Sequence, residues 1–351
     1  MRTESVSTVY KERDKLYTMH FCFAFVSRTW DLGIVLLIAS ITNSSLFVVS
    51  LIGFMSAFFV FLMMPQVGKI MDKCNRLLVV QGALVLKAFL VCVVYVWCYQ
   101  FVSSSLDHIV NWKLYVIPIL VALVAVCFAT VTQSIEKDWI VVLSCGDSTW
   151  LSVTNSSMSQ IDLVCATIAP VFTGVLFGQL ETKVVVLVLL STNLLATACL
   201  MWFLRSVYIS WPALSIQIKP PQSSTADGGS TSSSLVDAFL QSGCAGTLIS
   251  YSMLYLTCLS YGSLMIVYLR WAGVKAEYIG FARGGAAVIG CIGAAAFPYI
   301  KTKLGLSLTA QLSILCQSIL VVLATWTFFW SDRRLALVVL MCTLVTVVPA
   351  Y

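Results

Sequence analysis

A short charged stretch, Gly68-Lys69-Ile70-Met71-Asp72-Lys73-Cys74-Asn75-Arg76, separates two long apolar runs, Ser45–Gly68 and Leu77–Val102. Each run exceeds the roughly 18 residues needed to cross a hydrocarbon core, so the stretch reads as a hairpin between two membrane-spanning helices. Gly68 permits a tight turn, and Asp72 and Arg76 can pair with the ends of neighbouring helices. In so oily a chain, a short basic loop of this kind is expected on the cytoplasmic side.

The pattern recurs. The chain is 60% hydrophobic and only 10% charged, with a mean hydropathy of +0.95. A water-facing domain holds roughly 25% charged residues, so a soluble globule is excluded. Spans are predicted near Tyr17–Ile41, Ser45–Gly68, Leu77–Val102, Trp112–Thr132, Ile161–Leu180, Val184–Phe203, Val236–Leu269, Tyr278–Ile300, Leu306–Trp330 and Leu335–Tyr351. The polar segment Met1–Lys15 has no small-residue cleavage site before the first span, so no cleavable signal is expected.

The net charge of +6 is unevenly placed. Arg2, Lys11, Arg13 and Lys15 precede the first span, and Lys69, Lys73, Arg76, Lys137, Arg205, Lys219, Lys301 and Lys303 fall on the same side. The alternate loops mix Asp107, Lys113, Glu181, Lys183, Arg270, Lys275 and Glu277. The excess of Lys and Arg predicts a cytoplasmic N-terminus. The basic residues form no water-exposed patch, which argues against nucleic acid as a partner and leaves the lipid bilayer as the surroundings. Thirteen cysteines lack any C-x-x-C pairing and read as packing residues.

Ser223–Ser234 is low in complexity and follows Lys219-Pro220-Pro221, the composition of a flexible linker. The resulting division is a cytoplasmic N-terminus (1–16), a six-helix bundle (17–210), a cytoplasmic low-complexity linker (211–235) and a partial C-terminal bundle (236–351). The fold class is therefore all-α, a polytopic membrane protein with a two-bundle layout. The apolar run reaching Tyr351 suggests an incomplete second bundle, with about 10 of 12 helices.

The G-x-x-x-D-K-x-x-R spacing of the hairpin resembles the loop between the second and third helices of the major facilitator superfamily. Ile135-Glu136-Lys137-Asp138-Trp139-Ile140-Val141-Val142 narrows the resemblance to the ferroportin family of iron exporters. Other segments agree in order: Leu16-Tyr17, His20, Ser27-Arg28-Thr29-Trp30, Asn43-Ser44-Ser45-Leu46, Asn155, Ile161-Asp162, Ala169-Pro170, Ser210-Trp211-Pro212-Ala213-Leu214, and the small-residue run from Gly280 to Phe297.

That resemblance implies a cytoplasmic gate at Asp72, Arg76, Asp138, Asn155 and Asp162. In such a gate Arg76 can fork onto Asp72 or Asp162, and Asn155 can donate to Asp138. The same charges could instead serve only to set topology. The family's partner arginine would lie beyond Tyr351.

The resemblance also implies metal positions. The family's first site, an Asp and a His one turn apart, reads Ser27 and Asp31 here, and its second-site cysteine reads Ser263. An oxygen-only set suits Mn²⁺, or weak Fe²⁺ binding. Alternatively, Asp31 only neutralises Arg28, three residues earlier on the same helical face. A charge at bilayer depth costs roughly 2.5–3.5 kcal/mol, so it faces a cavity or a partner. Arg283 is expected to face a cavity for that reason. Lys87 stands where relatives have a Gln of a calcium site, whose set reads Ser27, Lys87, Asn193 and Leu200 here. Its ammonium could replace that cation, with a salt bridge to Asp31, or snorkel to water. Calcium dependence and a bound cofactor are not expected. With Ser263 at the cysteine position, the peptide hormone that closes vertebrate ferroportins is expected not to act.

The function these features imply is export of divalent transition metal, Fe²⁺ or possibly Mn²⁺, by secondary alternating access at the plasma membrane. A different reading is a transport-inactive or organic-substrate paralogue acting as a non-conducting membrane partner. No nucleophile elbow, H-E-x-x-H or G-x-x-x-x-G-K-[ST] string is present, so an enzyme is not expected.

Overall fold

The computed structural model describes residues 2–42, 46–103, 112–211, 214, 240, 245–246 and 263–327, and all of their regular structure is helical. The helices are α1 (Arg2–Ile41), α2 (Leu46–Lys73), α3 (Arg76–Ser103), α4 (Trp112–Thr132), α5 (Ser148–Gln179), α6 (Thr182–Ser210), α7 (Ser263–Trp271), α8 (Ala276–Leu304) and α9 (Leu306–Thr327). Beyond Thr132, α4 runs on through a π-helical turn, Gln133–Trp139, and a last α-turn, Ile140–Leu143. Six helices among the described residues are long and apolar enough to cross a membrane. The linker (Ser223–Ser234), most of the predicted seventh span, and Leu335–Tyr351 lie outside the described residues.

Two predicted helix starts move furthest, and the hairpin turns at Cys74 and Asn75 rather than at Gly68, which lies within α2. The first helix reaches back to Arg2, so the polar N-terminal segment continues the first span. The fifth begins at Ser148, well before Ile161, because Asp147 caps it. The Asp147 carboxylate accepts from the Thr149 and Trp150 amides at 2.9 and 3.1 Å. Such a cap is worth about 1 kcal/mol. The reversal before it uses Cys145 and Gly146, both with positive φ.

The first bundle is arranged around α1. Two-thirds of the apolar window of α1 is buried, against 17% for α2. α1 packs on α5 and α6, α3 packs on α4 and α6, and α2 lies against α4. Trp30 of α1 meets Tyr95 of α3 edge-on at 5.4 Å between ring centres. On the perimeter, Phe47, Phe54, Phe58, Phe61 and Leu62 of α2 are exposed, as expected where the solvent is lipid rather than water.

α8 packs along α5, where glycines allow the backbones to touch. A Cβ built on Gly280 would stand 2.5 Å from the Pro170 carbonyl oxygen and 2.9 Å from Gly174 Cα. α7 ends in paired C-cap bonds, Val274 N–H to Leu269 O and Gly273 N–H to Arg270 O. α7 lies against α1 and α2. These contacts bring residues of α7 and α8 to the middle of α1.

Candidate functional site

Two polar centres emerge. The first gathers at the end of the bundle that carries the α2–α3 hairpin. Asn75 caps α3, its side-chain oxygen accepting the Leu77 amide at 2.9 Å. Its side-chain amide also donates to the Tyr208 hydroxyl of α6 at 3.1 Å. The next residue, Arg76, forks onto Asp138: Nε to Oδ2 at 2.7 Å and Nη2 to Oδ1 at 3.3 Å. The hairpin is thus tied to α6 and to the π turn by adjacent residues.

The π turn decides where its charges point. The Ile140 amide bonds to the Ile135 carbonyl, five residues back, so the turn holds an extra residue. Trp139 is fully buried and tilts against the Tyr208 ring at 6.2 Å. Asp138 meets Arg76, while Glu136 turns toward His20 of α1, with Oε1 4.0 Å from Nδ1. His20 Nε2 lies 3.2 Å from Asp162 Oδ1 of α5, off the axis of a hydrogen bond.

The predicted gate is therefore corrected in its pairings. Arg76 takes Asp138 rather than Asp72 or Asp162. Asp72 is exposed at the end of α2 and forms no ion pair among the described residues. Asn155 is exposed and makes no hydrogen bond to Asp138; it lines a cavity of about 330 Å³ with Glu136, Lys137, Ser159 and Asp162. Asp162 belongs with His20. Neither Tyr208 nor the His20–Asp162 contact was anticipated. The scarcity of histidine in the chain was the available signal for the latter.

The second centre is a cavity of about 370 Å³ where α1, α2, α4, α7 and α8 converge. Its polar lining is Asp31, Ser56, Ser263 and Arg283; its walls include Trp30, Ile34, Phe128 and Ile266. Asp31 and Ser263, predicted as metal positions, are brought together. Ser27, one turn before Asp31, is half-buried and is not among the lining residues. Arg283 enters the cavity, as its charge at bilayer depth required. Asp31 shares this cavity with Arg283, whereas Arg28, three residues earlier on α1, is not among its lining residues.

Lys87 does not reach Asp31. Its ammonium is fully buried 5.1 Å above the Phe128 ring, without a hydrogen bond. A cation over a ring face is worth about 0.5–2 kcal/mol, which takes the place of the predicted salt bridge. Asn193 and Leu200 of α6 are also buried, and Asn193 Oδ1 is likewise without a hydrogen bond.

Helices of bilayer length around an acid-lined cavity, with a charged clasp at one end, define a multi-pass membrane protein of the major facilitator type. Residues 11–350 match the family model Ferroportin1 (FPN1), and the chain belongs to that family, one of membrane transporters rather than enzymes. It is 27% identical over 311 residues to rice "Solute carrier family 40 member 1", covering 81% of this chain and 64% of that protein. It is 23% identical over 378 residues to human "Ferroportin", covering 92% and 65%. The chain thus spans just under two-thirds of the length of these relatives. The fold is similar to a crystal structure of a bacterial homologue of iron transporter ferroportin in an inward-facing state, with a TM-score of 0.75 and 22% identity over 97% of this chain and 80% of that one. The outward-facing form with soaked iron gives 0.65 at 23% identity, covering 97% and 81%.

Proposed function

We propose that this protein exports divalent transition metal, Fe²⁺ or Mn²⁺, by alternating access, as a multi-pass protein of the plasma membrane with its N-terminus and the α2–α3 hairpin in the cytoplasm. The observation that carries the reading is the meeting of Asp31 and Arg283 in one cavity between α1 and α8.

The chemistry follows from charge. With no ion present, the Arg283 guanidinium balances Asp31 and lets the cavity close without a naked carboxylate. A divalent ion brings twice the charge in a smaller radius, takes the Asp31 oxygens, and repels Arg283 with the helix that carries it. Ser263 adds a neutral oxygen, and such oxygen donors suit Mn²⁺ and Fe²⁺. The Arg76–Asp138 clasp is a charge-assisted, partly exposed pair of about 1–3 kcal/mol. A lock of that size opens readily when another interaction competes for it.

Lys87 supplies a built-in positive charge in the first bundle, with the Phe128 face as its partner, so calcium and other bound cofactors are not needed. Ser263 in place of a thiol leaves the vertebrate peptide hormone without its anchor. The second reading, a transport-inactive or organic-cation paralogue, is favoured by Arg283 itself, a charge that competes with any metal at Asp31.

Uptake of radioactive Mn²⁺ or Fe²⁺ by proteoliposomes holding the full chain separates the two. Metal export predicts saturable flux that falls at least tenfold in Asp31→Ala. Flux no greater than in empty vesicles removes the transport reading. Flux unchanged by Asp31→Ala removes the site assignment.

A further inference from the structure

His20 is buried, 1% exposed, and neither ring nitrogen makes a hydrogen bond. A buried imidazole left without a hydrogen bond is unusual enough to require a reason. Its neighbours supply one, because both nitrogens face carboxylates. Nε2 stands 3.2 Å from Asp162 Oδ1 and Nδ1 stands 4.0 Å from Glu136 Oε1. One ligand atom from each of the three residues lies within 4.8 Å of the others.

That spacing has a chemical meaning. An ion held at about 2.0–2.2 Å by nitrogen and carboxylate oxygen sets neighbouring ligand atoms roughly 3.0–3.6 Å apart. Contraction by about 1 Å would bring all three residues to one centre. We propose that His20, Glu136 and Asp162 bind a divalent transition-metal ion at a second site, separate from the Asp31 cavity. The bare proximity of two acids would not carry this. The buried imidazole, without a hydrogen bond and with an acid beside each nitrogen, does.

The donor set fixes the class of ion. One imidazole and two carboxylates suit Mn²⁺, Fe²⁺, Co²⁺ or Zn²⁺, and disfavour Mg²⁺ and Ca²⁺, which take oxygen alone. Lys137, the residue after Glu136, also lines the adjoining cavity and offsets part of the acidic charge. Access exists through the 330 Å³ cavity, where Asn155 and Ser159 stand beside Glu136 and Asp162 and leave room for water or further oxygens.

The location also suggests a purpose. Glu136 and Asp138 belong to the same π turn, so an ion drawing Glu136 toward His20 pulls on the segment that holds Arg76. In transport, the site would be the first stop for an ion entering from the hairpin end, its occupancy loosening the clasp. This role rests on the export reading proposed above, whereas binding does not.

The test is Mn²⁺ binding to the purified full chain in nanodiscs, followed by loss of the free-ion electron paramagnetic resonance signal and by nitrogen hyperfine coupling on the bound ion. The expected result is imidazole coupling that survives Asp31→Ala and His108→Ala, disappears in His20→Ala, and persists under excess Mg²⁺. Glu136→Gln and Asp162→Asn, which keep side-chain shape, should each weaken this site at least tenfold. Absence of nitrogen coupling at saturating Mn²⁺, or coupling unchanged in His20→Ala, overturns the site and leaves His20 as an ordinary ion-pair partner of Asp162. Should His20→Ala fail to fold, unchanged affinity in both carboxamide variants has the same force. Binding without flux would retain the site and reject export; flux without this binding would do the reverse.

Discussion

Arg76 lays its guanidinium across both carboxylate oxygens of Asp138, joining the start of α3 to the π turn that prolongs α4. Side-chain exposures of 15% and 34% place the pair at the rim, screened but not free in solvent. Its strength should therefore lie between those of surface and buried pairs. A double-mutant cycle with Arg76→Ala and Asp138→Ala, read by thermal unfolding in detergent, should give a coupling of about 1–3 kcal/mol. Arg76→Lys should lose most of it, because an ammonium cannot fork. A coupling near zero would mean the two charges merely sit together.

The Asp31–Arg283 arrangement makes opposite predictions for its two members. Asp31→Ala removes the anionic ligand and should weaken Mn²⁺ binding in the central cavity at least tenfold. Arg283→Gln removes the competing cation and should strengthen it, by roughly tenfold if the displaced interaction is near 1.4 kcal/mol. Equilibrium Mn²⁺ titration of the two variants checks the signs. Weaker binding in Arg283→Gln would show that the arginine supports the ion instead of competing with it.

The α5–α8 seam depends on missing side chains. A methyl group on Gly284 would meet Val171 Cγ2 at 2.7 Å and the Thr167 carbonyl oxygen at 2.8 Å, and Gly280 is tighter still. Gly280→Ala should cost about 1–3 kcal/mol through overpacking, with Gly284→Ala in the same range. Gly82 of α3 has open space around its Cβ position. There the same change should be neutral, or stabilising by up to about 1 kcal/mol. Unfolding midpoints of the three variants measured together check the contrast.

Lys87 is predicted to tolerate loss of its charge. Lys87→Met keeps the length of the side chain and gives up the contact with Phe128, worth about 0.5–2 kcal/mol. It also removes a desolvated ammonium that has no hydrogen bond, and the two effects oppose each other. The net change in stability should stay within about 1 kcal/mol, and millimolar Ca²⁺ should leave the unfolding midpoint of the unaltered protein in place. A large Ca²⁺-dependent rise would contradict the built-in-cation reading.

Most of the helical layout was legible from composition and hydropathy, because a lipid-crossing segment declares itself by length alone. The misplaced start of α5 shows the limit. Between Ser148 and Ile161 the helix is polar, with Asn155, Ser156, Ser157, Ser159 and Gln160 along it, and an apolar-run criterion passes over it. The capping Asp147 was the visible mark of its true beginning. Among candidate residues, Asp31 and Arg283 could be named one by one because charge in an apolar run is conspicuous, and Ser263 through the family resemblance. Their meeting in one cavity could not be read from spans alone.

From its amino acids alone this chain is a helical membrane protein with a basic hairpin and ferroportin-like motifs, since hydropathy, charge and short motifs are local properties. Which acid Arg76 grips, which carboxylates surround His20, and which arginine faces Asp31 belong to the tertiary structure. The reason is rotational. Each residue turns a helix by about 100°, and the extra residue in the Gln133–Trp139 turn re-aims those around it. Partners are chosen by the angle at which helices meet, and that angle is set by packing across the whole bundle.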